Sequence, residues 1–168
     1  PLLMARAKLL PRLLPPAERE RIRRYALQDC GHGTDMFGTD REGIESAWAF
    51  ASWLHERYFR VRSAGHEHIP SEGPGLVVGN HSGVLPFDAM MLSADVFKRT
   101  EPPRLVRYMV DYFASSLPFV GLFLRQLGQI PGTRANFDGL IDEGHLVGIF
   151  PEGAAALGKP ASRRYELY

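Results

Sequence analysis

Apolar positions recur at helical spacing between residues 41 and 58. Ile44, Ala47, Trp48, Ala51, Leu54 and Tyr58 fall on one face, with Glu42, Glu45 and Ser52 elsewhere. The spacing predicts an amphipathic helix with Trp48 and Tyr58 in the core. Ahead of it, Ala17 to Gln28 is strongly charged and opens on Pro16, the pattern of a solvated helix. The intervening Gly31-His32-Gly33-Thr34-Asp35 and Phe37-Gly38-Thr39-Asp40 lack the Gly-Lys-Ser/Thr ending of a phosphate loop and read as a connection. Alternation over Tyr58-Phe59-Arg60-Val61-Arg62 predicts a half-buried strand.

The second half switches between short apolar runs and helical spacing. Leu76 to Val78 reads as a strand that stops at Gly79-Asn80-His81-Ser82-Gly83. Pro86 then opens a partly buried helix carrying Met90, Met91, Leu92, Val96 and Phe97, closed before Pro102-Pro103. Arg104 to Val110 and Gly128 to Pro131 read as further strands. Thr133 offers an N-cap hydroxyl to a helix with Phe137, Leu140 and Ile141 on one face and Gly144 at its end. Leu146 to Phe150 is a last buried strand with Pro151-Glu152-Gly153 at its tip. Leu117 to Leu124 is apolar all round yet too short to span a bilayer, which leaves it buried in protein, dipped into an interface or lining an acyl pocket. Strands alternating with helices predict an α/β domain, a mixed and largely parallel sheet flanked by helices. Ligands of such sheets gather at the carboxyl ends of the strands. His81, Arg134 and Glu152 all follow strand-like runs, so they are grouped into one site.

Composition narrows the class. A chain of 168 residues, 45% hydrophobic, suits one domain with a full core and argues against disorder. Net charge is +1, but residues 1–24 hold seven Lys/Arg against two Glu, and the leucines of residues 1–14 are interspersed with Arg6, Lys8 and Arg12. Such a segment suits an anionic membrane interface, or else caps the domain's own core. Residues 1–40 are therefore read as a basic, helical leading segment and 41–168 as the α/β domain, trimmed at its C-terminus. The basic cluster lacks interleaved aromatics, which excludes a nucleic-acid partner. Cys30 stands alone, and no apolar run spans a bilayer; a cytoplasmic protein with peripheral membrane association is expected. Oligomeric state is not legible.

Histidine has an unperturbed pKa close to working pH, and a carboxylate on one ring nitrogen fixes the tautomer and frees the other to accept a proton. His81 and Asp88 are accordingly the candidate base and its orienting acid. Backbone N–H groups around Ser82 and Gly83 are candidate oxyanion donors. His66-x-His68 has no third ligand at sensible spacing, so no metal and no cofactor are expected.

With those residues in view, the chain resembles the lysophospholipid and glycerolipid acyltransferase superfamily, nearer its monoacylglycerol and diacylglycerol acyltransferase-like branch. Asn80-His81-Ser82 with Asp88 is similar to the family's first motif. Gly121 through Gly128-Gln129-Ile130-Pro131-Gly132-Thr133-Arg134 is similar to the second, and Phe150-Pro151-Glu152-Gly153 to the third. Two features depart from the pattern. Six residues separate His81 from Asp88 where four are usual, and Ala155 occupies the place of a frequent arginine, for which Lys159, Arg163 or Arg164 are substitutes. The resemblance implies transfer of an acyl group from a thioester, acyl-CoA or acyl carrier protein, to a hydroxyl of a lipid acceptor. His81 and Asp88 are then catalytic, and Asn80, Ser82, Gly83, Thr133, Arg134, Glu152 and Gly153 bind substrate. An inactive lipid-binding module and a thioesterase-type hydrolase are the rival readings.

Overall fold

Four short strands position everything else. The computed structural model describes residues 14–81, 86–152 and 160–163. Its strands β1 (Gly75–Val78), β2 (Val106–Val110), β3 (Ile130–Pro131) and β4 (Leu146–Ile149) form one all-parallel sheet in the order β1-β4-β2-β3. Six α-helices accompany them among the described residues: α1 (Pro16–Arg24), α2 (Arg41–Trp53), α3 (Phe87–Arg99), α4 (Tyr112–Ser116), α5 (Val120–Gln126) and α6 (Arg134–Asp142). The α/β class and the parallel sheet expected from the sequence are both present.

The two faces of the sheet are covered by different helices. Val77, Val106, Tyr108, Leu146 and Phe150 pack with Ala89, Leu92 and Val96 of α3. On the opposite face Met109, Ile130, Val147 and Ile149 meet Phe137, Leu140 and Ile141 of α6, with Phe37 alongside. A third layer lies outside α3, where Ile22, Tyr25, Ile44, Trp48 and Ala51 close on Ala94 and Phe97. Leu14 is buried in that same cluster, and the basic segment before it, residues 1–13, lies outside the described residues. Because every strand runs the same way, all four carboxyl ends share one edge.

Local signals explain the helix ends. The Asp40 side chain accepts from Gly43 N at the start of α2, and Thr133 Oγ1 accepts from Asn136 N at 3.2 Å at the start of α6. Caps of this kind are worth about 1 kcal/mol each. Gly144, at φ +78°, supplies the left-handed residue that ends α6 before β4.

Several expectations are corrected. Tyr58 to Arg62 is not a strand: α2 continues as a π turn over Leu54–Tyr58, with Phe59 N donating to Leu54 O at 2.8 Å. Arg60 then adopts φ 49° and turns the chain back, so that Val61 N donates to His55 O. A five-residue alternation of aromatic and basic side chains lacks the length to separate these outcomes. Trp48 is core, whereas Tyr58 is exposed and stacks on Trp53. The charged stretch expected to be a solvated helix is shorter than its pattern, and one of its faces is buried: Ile22 sits in the core, and Arg21 Nε donates to Phe97 O at 2.6 Å. Of the three placements open to Leu117 to Leu124, burial in protein does not hold for most of the stretch, Gly121 being its buried residue. Phe119 is 88% exposed, and Leu122 and Phe123 are open as well.

The glycine-rich loop is more than a connection. Asp35 and Arg107 form an ion pair with both side chains fully buried, and Arg107 also donates to Thr39 Oγ1. Asp35 in turn accepts from Thr39 N at 2.8 Å, which folds the loop around the β2 guanidinium.

Candidate functional site at the carboxyl edge of the sheet

The ladder between β1 and β4 ends with Val78 opposite Ile149, and Gly79 N extends it by donating to Ile149 O at 3.2 Å. Asn80 is exposed and His81 follows. Across the loop, α3 begins at Phe87 with Asp88 in its first turn, where the helix dipole favours a carboxylate. His81 Nδ1 lies 2.9 Å from Asp88 Oδ2 and 3.1 Å from Oδ1, and Oδ1 also accepts from Ala89 N at 2.8 Å. A carboxylate on Nδ1 assigns the ring hydrogen to that nitrogen and leaves the Nε2 lone pair as acceptor. The two side chains are 19% and 22% exposed, so the pair is reachable from solvent.

An aromatic stack forms the floor. The imidazole lies on Phe150 at 4.7 Å between ring centroids, 15° from parallel, and Phe150 lies on Tyr108 at 5.2 Å and 6°. Gly79 makes the first contact possible, since a Cβ there would stand 3.3 Å from the Phe150 ring. Burial pushes the Tyr108 phenol well above its ordinary value, and the Asp88 charge adds to the effect. Tyr108 therefore stays protonated beside the pair.

The other sequence-predicted residues are distributed along the edge. Glu152, half-buried, stands at the tip of β4, next to the β1 tip that carries His81. Arg134 opens α6 beyond β3, three strands away, or about 14 Å at ordinary strand spacing. Its side chain is 92% exposed, with Nε 3.5 Å from Asp138, the pairing one helical turn on. Thr133 sits beside it with its hydroxyl engaged as the α6 cap. An open groove of about 550 Å³ runs below these two, floored by Met109, Phe137 and Ile149. Ser82, Gly83, Gly153, Ala155, Lys159 and Arg164 lie outside the described residues, and Arg163 is in a short turn, Ala161–Arg163. His66 and His68 each approach Glu67, at 3.7 and 3.8 Å, and no group of three or more metal-binding side chains exists among the described residues.

Sequence reasoning used Phe150 only as part of a motif and gave Tyr108 no part. The available signal was register: once β1 and β4 pair in parallel, the residue after Ile149 falls beside Gly79 and so beneath the histidine loop.

Residues 60–165 match the family model described as Acyltransferase. The chain belongs to this acyltransferase family. Its matched range takes in His81, Asp88, Arg134 and Glu152, while α1 and α2 precede it. The family agrees with the glycerolipid acyltransferase superfamily that the three sequence motifs resemble. Uncharacterized proteins of Mycobacterium leprae and Mycobacterium tuberculosis are each 39% identical over 118 residues, covering 70% of this chain and 32% of their own length. A Bos taurus protein named DGAT1/2-independent enzyme synthesizing storage lipids is 34% identical over 89 residues, 53% of this chain and 26% of its own. The chain thus spans about a third of the mycobacterial relatives, 32% of their length. No solved structure gives a significant match.

Proposed function

We propose that this acyltransferase-family domain moves a fatty acyl group directly from a thioester, acyl-CoA or acyl carrier protein, to a hydroxyl of a glycerolipid or lysophospholipid. The supporting observation is the His81–Asp88 pair, 2.9 Å apart and open to solvent at the carboxyl edge of a parallel sheet. His81 Nε2 takes the proton of the acceptor hydroxyl as that oxygen attacks the thioester carbonyl. The tetrahedral intermediate then collapses, the C–S bond breaks, and the thiol leaves with the proton returned by the imidazolium. Asp88 holds the ring and stabilises its charged form; general-base assistance of this kind contributes about 10²–10⁴-fold. A thioester is already activated, so no covalent enzyme intermediate is needed.

Binding roles follow from position along the edge. The Arg134 guanidinium presents a planar fork suited to a phosphate head group, and it projects into solvent at the carboxyl edge that His81 shares. Glu152 lies on the path between Arg134 and His81, where it can accept from an acceptor hydroxyl. Asn80 and Thr133 are further binding positions at that edge, and Ser82, Gly83 and Gly153 keep the binding roles that the motif resemblance implies. The test is thiol release from a long-chain acyl thioester with and without a lysophospholipid. Release that rises with acceptor concentration and yields an acylated acceptor is expected; acceptor-independent release of free fatty acid contradicts the assignment.

The same reading puts the domain on an anionic membrane surface. No helix of the described residues is long and apolar enough to cross a membrane. Instead, Tyr112, Phe113, Phe119, Leu122 and Phe123 of the α4–α5 hairpin expose apolar side chains just beyond β2, at the catalytic edge. Side chains of this kind bury into the headgroup boundary, each large one contributing about 1.5–3 kcal/mol when fully buried. Replacing Phe119 and Phe123 together by aspartate is expected to weaken binding to anionic vesicles by at least about tenfold. Unchanged sedimentation with the vesicles contradicts interfacial docking through this hairpin.

A further inference from the structure

A second cluster of polar side chains lies at the far end of α3. His55, in the π turn, is 94% buried by side chain, its Nε2 3.0 Å from Asp95 Oδ1. Asp95 also accepts from Arg99 Nε at 3.0 Å. Burial pushes the Asp95 carboxyl up, but hydrogen bonds from Ser63, Arg99 and His55 outweigh it and hold the group below its ordinary value. The pair is thus an anchored one. The other ring nitrogen, Nδ1, is fully buried and has no hydrogen-bond partner. Buried polar atoms of this kind are nearly always satisfied, by protein or by a bound group.

His55 lines an open groove of about 480 Å³ together with Glu56, Arg60, Arg62, Lys98 and Arg99. Two cations come from the last turn of α3, where the helix carbonyls favour them. Both are engaged: Lys98 with Glu18, at 3.3 Å, and with Glu56, and Arg99 with Asp95. Arg60 and Arg62 come from a different segment, brought to the groove by the left-handed turn at Arg60, and neither forms an ion pair among the described residues. Four cations face a single lining carboxylate, Glu56. Arg60 and Arg62 are exposed and leave positive charge open at the groove.

We infer that the groove between the π turn and the end of α3 is a binding site for a phosphate monoester, held by Arg60 and Arg62 with Lys98 and Arg99 on its wall. The guanidinium forks match phosphate oxygens in pairs. A phosphate monoester has its second pKa near 6, so near neutral pH it carries close to two negative charges on three acceptor oxygens, a match for several cations in one groove. The site is distinct from the catalytic pair, because Asp88 and Arg99 stand eleven residues apart on α3, or about 16 Å. Two sources share this chemistry: the nucleotide end of an acyl-CoA donor, whose phosphates and thioester are separated by a long arm, and the head group of a phosphorylated lipid.

The inference stands apart from the acyl-transfer reading, and calorimetric titration of the whole chain tests it without turnover. Three probes are titrated in an Arg134→Gln background, so that the head-group role proposed for Arg134 adds no second phosphate site: inorganic phosphate, adenosine 3′,5′-bisphosphate and glycerol 3-phosphate. Saturable binding of at least one phosphate monoester is expected, and it weakens at least tenfold in Arg60→Gln/Arg62→Gln, whose exposed side chains carry no packing role. Tighter binding of the bisphosphate assigns the groove to the donor nucleotide, and tighter binding of glycerol 3-phosphate assigns it to a lipid head. The His81→Ala variant binds the same probes unchanged, so a failed catalytic assignment leaves this result readable. No saturable binding, or binding that the double arginine variant retains, overturns the inference.

Discussion

His81→Ala is expected to lower acceptor-dependent thiol release by about 10²–10⁴-fold while leaving the fold and vesicle binding intact. The size follows from the role: the imidazole removes a proton in the step that forms the new ester bond, and water is a poor substitute at neutral pH. Retention of the fold follows from position. The ring is partly exposed and contacts Asp88 and the face of Phe150, so its loss leaves no sealed cavity in the core. Asp88→Asn is expected to produce a large part of the same loss, because an amide offers Nδ1 either a donor or a neutral acceptor and no longer fixes the tautomer or stabilises the imidazolium. A pure lipid-binding module would be indifferent to both changes. Turnover within threefold of the parent in either variant, measured on protein with unchanged circular dichroism, contradicts the assigned roles.

The largest effect on stability is expected at a residue far from the chemistry. Asp35→Ala leaves the Arg107 guanidinium charged, fully buried and without its carboxylate, a situation that costs about 3–5 kcal/mol. Domains of this size are stable by only about 5–15 kcal/mol, so the urea midpoint should fall by about a fifth or more. Arg107 leans on Phe37 at 5.9 Å and donates to Thr39, and neither contact neutralises its charge. The converse follows from the same physics. Replacing both partners, Asp35→Leu with Arg107→Met, removes the buried charges together and is expected to recover much of the loss, since hydrophobic replacements of buried ion pairs are often neutral or better. If Asp35→Ala unfolds at the parent's urea concentration, the pair carries no such weight.

Much of the scaffold was legible because it rests on local rules. Ile44, Trp48 and Ala51 mark a helical face, Asp40 and Thr133 cap the helices they precede, and the apolar runs at 76–78 and 146–149 become neighbouring parallel strands. Local rules also explain the failures. The alternation at Tyr58 to Arg62 described side chains on an exposed, widened helical turn as well as it described a strand. Asp35 looked like an ordinary loop aspartate because its partner stands 72 residues on, and His55 finds Asp95 across 40 residues. The exposure of Phe119, Leu122 and Phe123 was equally hidden, since apolarity alone does not say whether protein or lipid covers a side chain. The histidine and aspartate of the candidate site were found because they stand only seven residues apart in sequence. The stacking of His81 on Phe150 and Tyr108 depended on strand order, which the sequence pattern leaves open.

The central claim is that the imidazole at 81 activates an acceptor hydroxyl rather than water. Running the reaction in oxygen-18 water with an acyl thioester and a lysophospholipid, and reading the products by mass spectrometry, separates the two chemistries. The account predicts an acylated acceptor without solvent label. Fatty acid carrying the heavy oxygen as the main product, with the acceptor left unmodified, would contradict it.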